Sequence, residues 1–124
     1  PPLPLPKPGS ARIILPWPPS GNHGTKHANG AHYLTREHIE YRRLVLELVA
    51  GMRIQEIGGR LRVELRIAPP DKRRRDLDNT AKVILDALQH AGVYIDDGAV
   101  DELHLYRTPV VKGGAVSALI ESLA

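Results

Sequence analysis

The sequence has no cysteine and no long apolar run, and each absence excludes a class of protein. Without cysteine the chain can form no disulfide, no thiolate metal site and no cysteine nucleophile. No apolar stretch approaches the roughly 20 residues that a transmembrane helix needs, and no signal peptide is visible. Together these absences predict a cytoplasmic protein. The one tryptophan, Trp17, stands between two prolines, where a packed corner is favoured over a base-stacking platform.

The remaining composition is that of an ordinary globular protein. The chain has 124 residues, of which 42% are hydrophobic and 25% charged, which is typical of one domain with one core. Residues 1–9 hold five of the eleven prolines. Because proline neither continues a helix nor donates to a sheet, we expect a disordered tail at 1–9 and a single domain at 10–124.

Hydrophobic periodicity predicts an α+β fold, with a small mixed β-sheet packed against two main helices in the order β-α-β-α-β-β. Residues 60–68 alternate strictly between charged and apolar side chains, which indicates a strand with one buried face. Residues 11–15 form another short strand. Segments 102–110 and 115–122 flank a glycine pair and are predicted to form a hairpin.

Two helices are predicted from capping residues and apolar stripes. The first follows Thr35 as its N-cap and runs to about residue 50, with His38 on its surface and an apolar stripe of Tyr41, Leu44, Val45 and Leu48. The second is capped by Asp78 or Asn79, and Gly92 suits its left-handed C-terminal position. Its buried stripe comprises Ile84, Ala87, Leu88 and Ala91.

The densest charge in the chain is the stretch RRRDLDNTAK at 73–82. Asp76 and Asp78 would share a side in extended backbone, and residues spaced by four share a helix face, which places Asp78, Lys82 and Asp86 along one edge. Asp97 can approach them only if residues 93–95 double back along the helix. Converging carboxylates would form an all-oxygen site suited to Mg²⁺ or Mn²⁺.

The other charges of this region would then act on phosphate. Lys82 would offset negative charge that develops on a phosphate. The basic run Lys72, Arg73, Arg74 and Arg75 would grip flanking phosphates without reading sequence.

Simpler interpretations of the same residues stay open. The aspartates and arginines could form a salt-bridged loop with a helix cap, Asp86 could be a solvated helix residue, and residues 96–98 an ordinary turn. A zinc site at His23, His27 and His32 is disfavoured because the loop has no carboxylate or thiolate. Lys26 and His27 are expected to contact phosphate or a neighbouring loop instead.

Three blocks of the chain resemble the RusA-like family of Holliday junction resolvases, the small endodeoxyribonucleases of bacteria and phages. They are LPWPPSGN at 15–22, PDKRRRDLDNTAKVILDALQHAGVYIDD at 70–97 and VVKGG at 110–114. The resemblance covers nearly all of the chain after residue 10, and its middle block is long and specific. The loop after Asn22 departs most from the family, since Gly24, Thr25 and Ala28 stand where arginines and aromatics are common.

The resemblance implies a metal-dependent endonuclease that cuts four-way DNA junctions as a homodimer, in DNA recombination and repair. It implies Asp76, Asp78 and Asp97 as ligands of Mg²⁺, with Mn²⁺ able to substitute, and Lys82 as the catalytic lysine. Asn79 and Asp96 have supporting roles. The DNA contacts expected are Lys72, Arg73, Arg74, Arg75, Asn22, Lys26 and His27. A non-catalytic dimer that binds branched DNA, or a nuclease for flaps or forks, is the alternative.

Overall fold

The computed structural model describes residues 9–20, 25–28 and 31–123, without the side chains of residues 25–28 and 31–33. The predicted disordered tail at 1–9 therefore lies almost wholly outside the described residues. The elements in chain order are β1 (Ser10–Leu15), β2 (Thr25–Ala28), β3 (Ala31–Leu34), α1 (Arg36–Gly51), β4 (Leu61–Ala68), α2 (Leu77–His90), a 3₁₀ turn (Asp97–Ala99), β5 (Val100–Arg107) and β6 (Ala115–Ser122).

The fold is the predicted α+β class, with a mixed four-stranded sheet in the order β1-β6-β4-β5 and two main helices. The predicted element order is confirmed, and a two-stranded hairpin of β2 and β3 is added ahead of α1. The hydrophobic core is formed by the inward side chains of the sheet and the apolar faces of both helices. All the apolar side chains of β4 are buried. Within the described residues, no helix combines the length and the apolar character that crossing a membrane requires.

The predicted hairpin of the last two strands is wrong, because β4 lies between them. β4 pairs with β6 in antiparallel and with β5 in parallel orientation. The strand with the most apolar face takes an inner position, where Leu61, Val63 and Leu65 are fully buried. The connection from β5 to β6 crosses the end of β4, where Thr108 N donates to Ile67 O at 2.9 Å and Val111 N donates to Pro69 O at 3.0 Å.

Helix α1 begins at the predicted cap, but its buried face is rotated from the predicted stripe. The Thr35 hydroxyl accepts from His38 N, and the buried residues are His38, Tyr41, Val45 and Val49. Leu44 and Leu48 are partly exposed instead. The surface position predicted for His38 is wrong, because its Nδ1 lies 2.8 Å from the Thr35 hydroxyl inside the packed face. Burial, followed by repulsion from Arg42, lowers the pKa of His38.

Strand β4, helix α2 and strand β5 form a β-α-β unit that organises the charged stretch. Parallel strands need a crossover connection, commonly a helix, and α2 supplies it here. The helix therefore begins at the carboxyl end of β4 and runs back toward the amino end of β5. Gly92 has a φ of +83° just beyond the helix end, as predicted, and the helical stripe packs against the core as predicted.

A close contact between Gly114 and Trp17 fixes the loop that follows β1. A Cβ at Gly114 would lie 2.9 Å from Trp17 Cε3, whereas a Cβ at Gly113 would meet nothing within 4 Å. Both glycines have positive φ, +71° and +80°. The backbone strain of a side chain is therefore similar at the two positions, and only Gly114 adds a steric clash.

We predict that Gly114→Ala destabilises the fold more than Gly113→Ala. Overpacking costs about 1–3 kcal/mol, so the difference in unfolding free energy should fall in that range. Chemical denaturation of both variants, with tryptophan fluorescence as the probe, measures it. Equal losses in the two variants would show that Trp17 moves aside freely.

Candidate active site

Asp76 and Asp78 stand at the beginning of α2, on the surface. The helix begins two residues earlier than expected, because Asp76 is the N-cap and the first helical residue is Leu77. Asp76 makes no side-chain capping bond, so its exposed carboxylate is not used by the helix. Asp78 lies inside the first turn, where its Oδ1 accepts from Asn79 N at 3.0 Å. The period-two argument for a shared side therefore does not apply to this pair.

The loop before α2 is folded around Asp71. Its Oδ1 lies 2.8 Å from Arg75 Nη1 and accepts from Arg73 N at 2.9 Å. These two contacts, the Arg75 hydrogen bond first, lower the pKa of Asp71. The Arg75 guanidinium also lies 5.4 Å from the centre of the Trp17 ring, and Arg107 donates to Arg75 O at 2.6 Å.

This folding separates the four predicted DNA-binding cations into two groups. Arg75 is engaged by the loop and only 23% of its side chain is exposed. Lys72, Arg73 and Arg74 are exposed beside the start of α2. Of the other predicted contacts, Asn22 lies outside the described residues, and Lys26 and His27 are described only as backbone of β2.

Asp97 lies against the second half of α2, because residues 93–95 double back along the helix as predicted. Tyr94 is 1% exposed, and its hydroxyl lies 2.9 Å from Asp97 Oδ1 and 2.8 Å from Leu85 O. Asp97 N donates to the Gln89 side chain at 3.2 Å. Asp96 caps the 3₁₀ turn by accepting from Gly98 N at 3.0 Å, which fits the turn interpretation of that residue.

Asp86 meets Asp97 and Lys82 on one edge of α2. The Lys82 ammonium lies 3.8 Å from Asp86 Oδ2. Burial raises the pKa of Asp97 above its ordinary value, and a hydrogen bond and repulsion from Asp86 raise it further, while the Tyr94 hydroxyl and Lys82 oppose the shift. Asp86 lies on the helix surface with 31% of its side chain exposed, and it is near enough to Lys82 for an ion pair and to Asp97 to raise the pKa of that residue.

Three of the predicted site residues, Asp78, Lys82 and Asp97, lie with Asp86 in a strip along α2. We define the acidic strip as Asp78, Lys82, Asp86 and Asp97. Asp78 and Asp86 are eight residues apart, which is about 12 Å along a helix axis. Within the described part of the chain, no three His, Cys, Asp or Glu side chains are arranged to hold one metal ion. Asp97 lies with Asp86 and Lys82, whereas Asp76 and Asp78 lie toward the other end.

Three residues that contribute to the site were not among the predicted site residues: Asp86, Tyr94 and Gln89. The spacing of four had placed Asp86 on the right face, but nothing in the sequence showed that Asp97 would dock against it. Tyr94 and Gln89 hold Asp97 through hydrogen bonds, and the only signal was their position beside the helix end. Tyr94, which precedes Asp96 by two residues and Asp97 by three, is such a signal.

Two cavities adjoin Asp76. The wall between them is formed by three residues that line both cavities: Arg73, Arg75 and Asp76. The polar cavity, of about 330 Å³, is lined by Ser20, Arg74 and Asn79 among others. The apolar cavity, of about 440 Å³, opens at the carboxyl ends of β4 and β5. The N-terminus of α2 lies beside both, and helix N-termini favour anions such as phosphate.

Comparison with known proteins places the chain in a family. The model of the family described as Endodeoxyribonuclease RusA matches residues 16–117. The chain belongs to this family. It is 39% identical over 113 residues to the crossover junction endodeoxyribonuclease RusA of Enterobacteria phage 82, covering 90% of this chain and 93% of the relative. The RusA proteins of Escherichia coli K12 and Shigella sonnei Ss046 are each 38% identical over the same shares.

We predict opposite effects of pH on two aspartate variants. Because the folded pKa of Asp97 is raised, ionising it weakens folding as pH rises through that pKa. Asp97→Asn should therefore raise the unfolding free energy at pH 7. This gain should shrink as the pH falls toward 3.8, the ordinary pKa of an aspartate.

The matched control is Asp101→Asn. A hydrogen bond from Arg60 lowers the pKa of Asp101, so this carboxylate stabilises the fold above its unfolded pKa and loses that effect in acid. The variant should be less stable than the parent at pH 7. Urea denaturation between pH 4 and pH 7 measures both, and a loss of stability in Asp97→Asn at neutral pH would contradict the assignment.

Proposed function

We propose that the chain is a divalent-metal-dependent endodeoxyribonuclease that resolves four-way DNA junctions by paired symmetric nicks. The observation that carries the proposal is the acidic strip beside a loop of exposed cations, in a chain whose named relatives are crossover junction endodeoxyribonucleases. Branched DNA is the substrate, and a bacterial cytoplasm, with a bacterial or phage-encoded enzyme, is the expected location.

The metal proposed is Mg²⁺, with Mn²⁺ able to substitute. The donor chemistry suits such a hard cation because the donors are carboxylates only. No three described carboxylates are gathered around one point, so joint ligation of one ion requires Asp97 and the pair at the start of α2 to approach each other. Asp76, Asp78 and Asp97 are the proposed ligands, and Asp86 adds a fourth carboxylate, near enough to Asp97 to raise the pKa of that residue. When bound, the ion supplies Lewis acidity at the phosphate and a more acidic water. Hydrogen bonds from Tyr94 and to Gln89 would keep Asp97 in place beside Asp86 and Lys82.

The cations of the chain would bind and orient the DNA. Arg74 and Asn79 line the polar cavity beside Asp76, which suits a sugar–phosphate backbone. Lys82 is 78% exposed, so its ammonium can face a phosphate and offset the charge that develops there. Contacts of this kind read the shape of the branch and the positions of phosphates more than base edges.

A homodimer is proposed as the active form. A four-way junction has approximate two-fold symmetry, and its resolution needs two matched cuts. A dimer with two-fold symmetry presents two equivalent acidic strips to two equivalent strands.

The test of the proposed function is cleavage of a synthetic four-way junction with Mg²⁺, beside a linear duplex and a flap. We expect paired nicks near the crossover and little cleavage of the other two substrates. Preferential cleavage of the flap would assign a different nuclease. Tight binding of the junction without cleavage in Mg²⁺ or Mn²⁺ would favour an architectural role.

Asp78→Asn should abolish cleavage and leave junction binding intact or stronger. The change removes a carboxylate that repels phosphate when no metal lies between them, while its amide oxygen can still accept from Asn79 N. Gel-shift titration and circular dichroism on the same preparation separate binding from folding. A folded variant that no longer binds the junction would argue against the assigned role.

Lys82→Ala should reduce turnover much more than affinity. One phosphate-facing charge among several changes binding little, whereas loss of charge stabilisation in the transition state typically costs 10²-fold or more, on the order of 3 kcal/mol. Single-turnover cleavage and binding isotherms give the two quantities. Lys72→Ala is the matched control, and equal losses of rate and affinity in Lys82→Ala would make Lys82 a DNA contact only.

A further inference from the structure

The apolar cavity beside Asp76 has no role in the chemistry described so far. Its inner wall is built from Ile67 and Pro69 at the end of β4 and from Pro109 and Val110 after β5. Parallel strands end at the same edge of a sheet, and ligands of open α/β sheets bind outside those carboxyl ends. The volume of about 440 Å³ lies within the range of small-molecule sites.

The walls of this cavity are held in place. Trp17 lines it, with the Arg75 guanidinium over its ring and Gly114 packed against it. The Tyr41 hydroxyl donates to Pro16 O at 2.9 Å, next to Trp17. The connection after β5 is bonded onto the end of β4. The cavity is therefore preformed, because its walls are held by these contacts.

Charge around the cavity identifies the kind of ligand. Lys72, Arg73 and Arg107 stand among its lining residues. The lining acid Asp71 is paired with Arg75 at 2.8 Å, and Asp76 marks the side that faces the polar cavity. An apolar interior under a cationic rim suits a flat ring attached to an anion. A nucleotide has this construction, and its base stacks on apolar and aromatic surfaces without sequence readout.

We propose that the apolar cavity captures one unstacked nucleobase of the branched DNA, adjacent to the phosphate that is cut. The proposal rests on the proposed function, since Asp76 lines both cavities and would bind metal at that phosphate. The sugar–phosphate backbone passes through the polar cavity and the base turns into the apolar one. Four-way junctions favour such capture, because in an open junction the base pairs at the branch point lack a stacked neighbour on one side, and extruding a base costs less where its stacking is already weakened.

The test combines a cavity variant with an abasic substrate, in the Asp78→Asn background so that no strand is cut. Val110 lines the cavity and is 44% exposed, and its neighbour Val111 is 46% exposed and does not line it. Val110→Phe narrows the cavity, and Val111→Phe is the matched control. Junctions carrying one abasic site, scanned across the two nucleotides on either side of the crossover, are titrated by fluorescence anisotropy.

We expect one abasic position to weaken binding of the parent by roughly 5-fold to 150-fold, the equivalent of about 1–3 kcal/mol of base stacking. Val110→Phe should weaken binding of the intact junction and show no further loss at that position, because the interaction is already removed. Val111→Phe should behave as the parent does.

Two results would overturn the proposal. Either no abasic position weakens binding, or the abasic and Val110→Phe losses add, as they do for independent sites. Failure of the proposed function gives a different result, because the chain with Asp78 intact would then leave a four-way junction uncut in Mg²⁺, whereas the abasic titrations do not depend on cleavage.

Discussion

The parallel pairing of β4 with β5 is the constraint on which the rest of the structure depends. A parallel pair cannot be closed by a turn, so α2 must carry the chain back along the sheet. This requirement places the start of α2, with its aspartates and arginines, at the carboxyl ends of the strands. It also places Asp97 beside the second half of the same helix. The acidic strip and both cavities follow from this crossover.

A second set of contacts ties the charged loop to distant parts of the chain. Arg75 joins Asp71 in its own loop, Trp17 after β1 and, through its carbonyl, Arg107 at the end of β5. The aromatic contact with Arg75 is on the order of 1 kcal/mol, and its neighbours are partly solvated. The main effect of the Arg75 contacts is geometric. They fix the backbone that carries Arg73 and Arg74, and they fix the wall between the two cavities.

Much of this arrangement could be predicted from local pattern. The alternation in β4, the cap at Thr35 and the stripe of α2 depend on residues close in sequence, and each was found. Pairing between strands depends on residues far apart, and β4 entered between β5 and β6 because its inward face is the most apolar. The buried face of α1 also depends on contacts with distant residues. His38 and Val49 pack into the core, whereas Leu44 and Leu48 remain exposed.

The candidate site was predictable in its residues and less so in its distances. The spacing of Asp78, Lys82 and Asp86 follows from helix geometry. The approach of Asp97 to Asp86 depends on where Tyr94 packs, which is decided by the whole core. The cavities are lined by three segments that are far apart in sequence, residues 17–20, 67–80 and 107–110, so no local pattern could reveal them.

The acidic strip is arranged against the stability of the free protein, as the proposed metal ligation would lead us to expect. Asp97 and Asp86 are held near each other although both carry negative charge when ionised, and burial opposes ionisation of Asp97 further. A fold selected for stability alone would separate them, because like charges in a half-buried setting cost free energy. Instead Tyr94 and Gln89 provide hydrogen bonds that keep Asp97 in place. A shifted pKa of this kind is typical of functional sites. A bound cation would relieve the repulsion by placing positive charge between the two carboxylates.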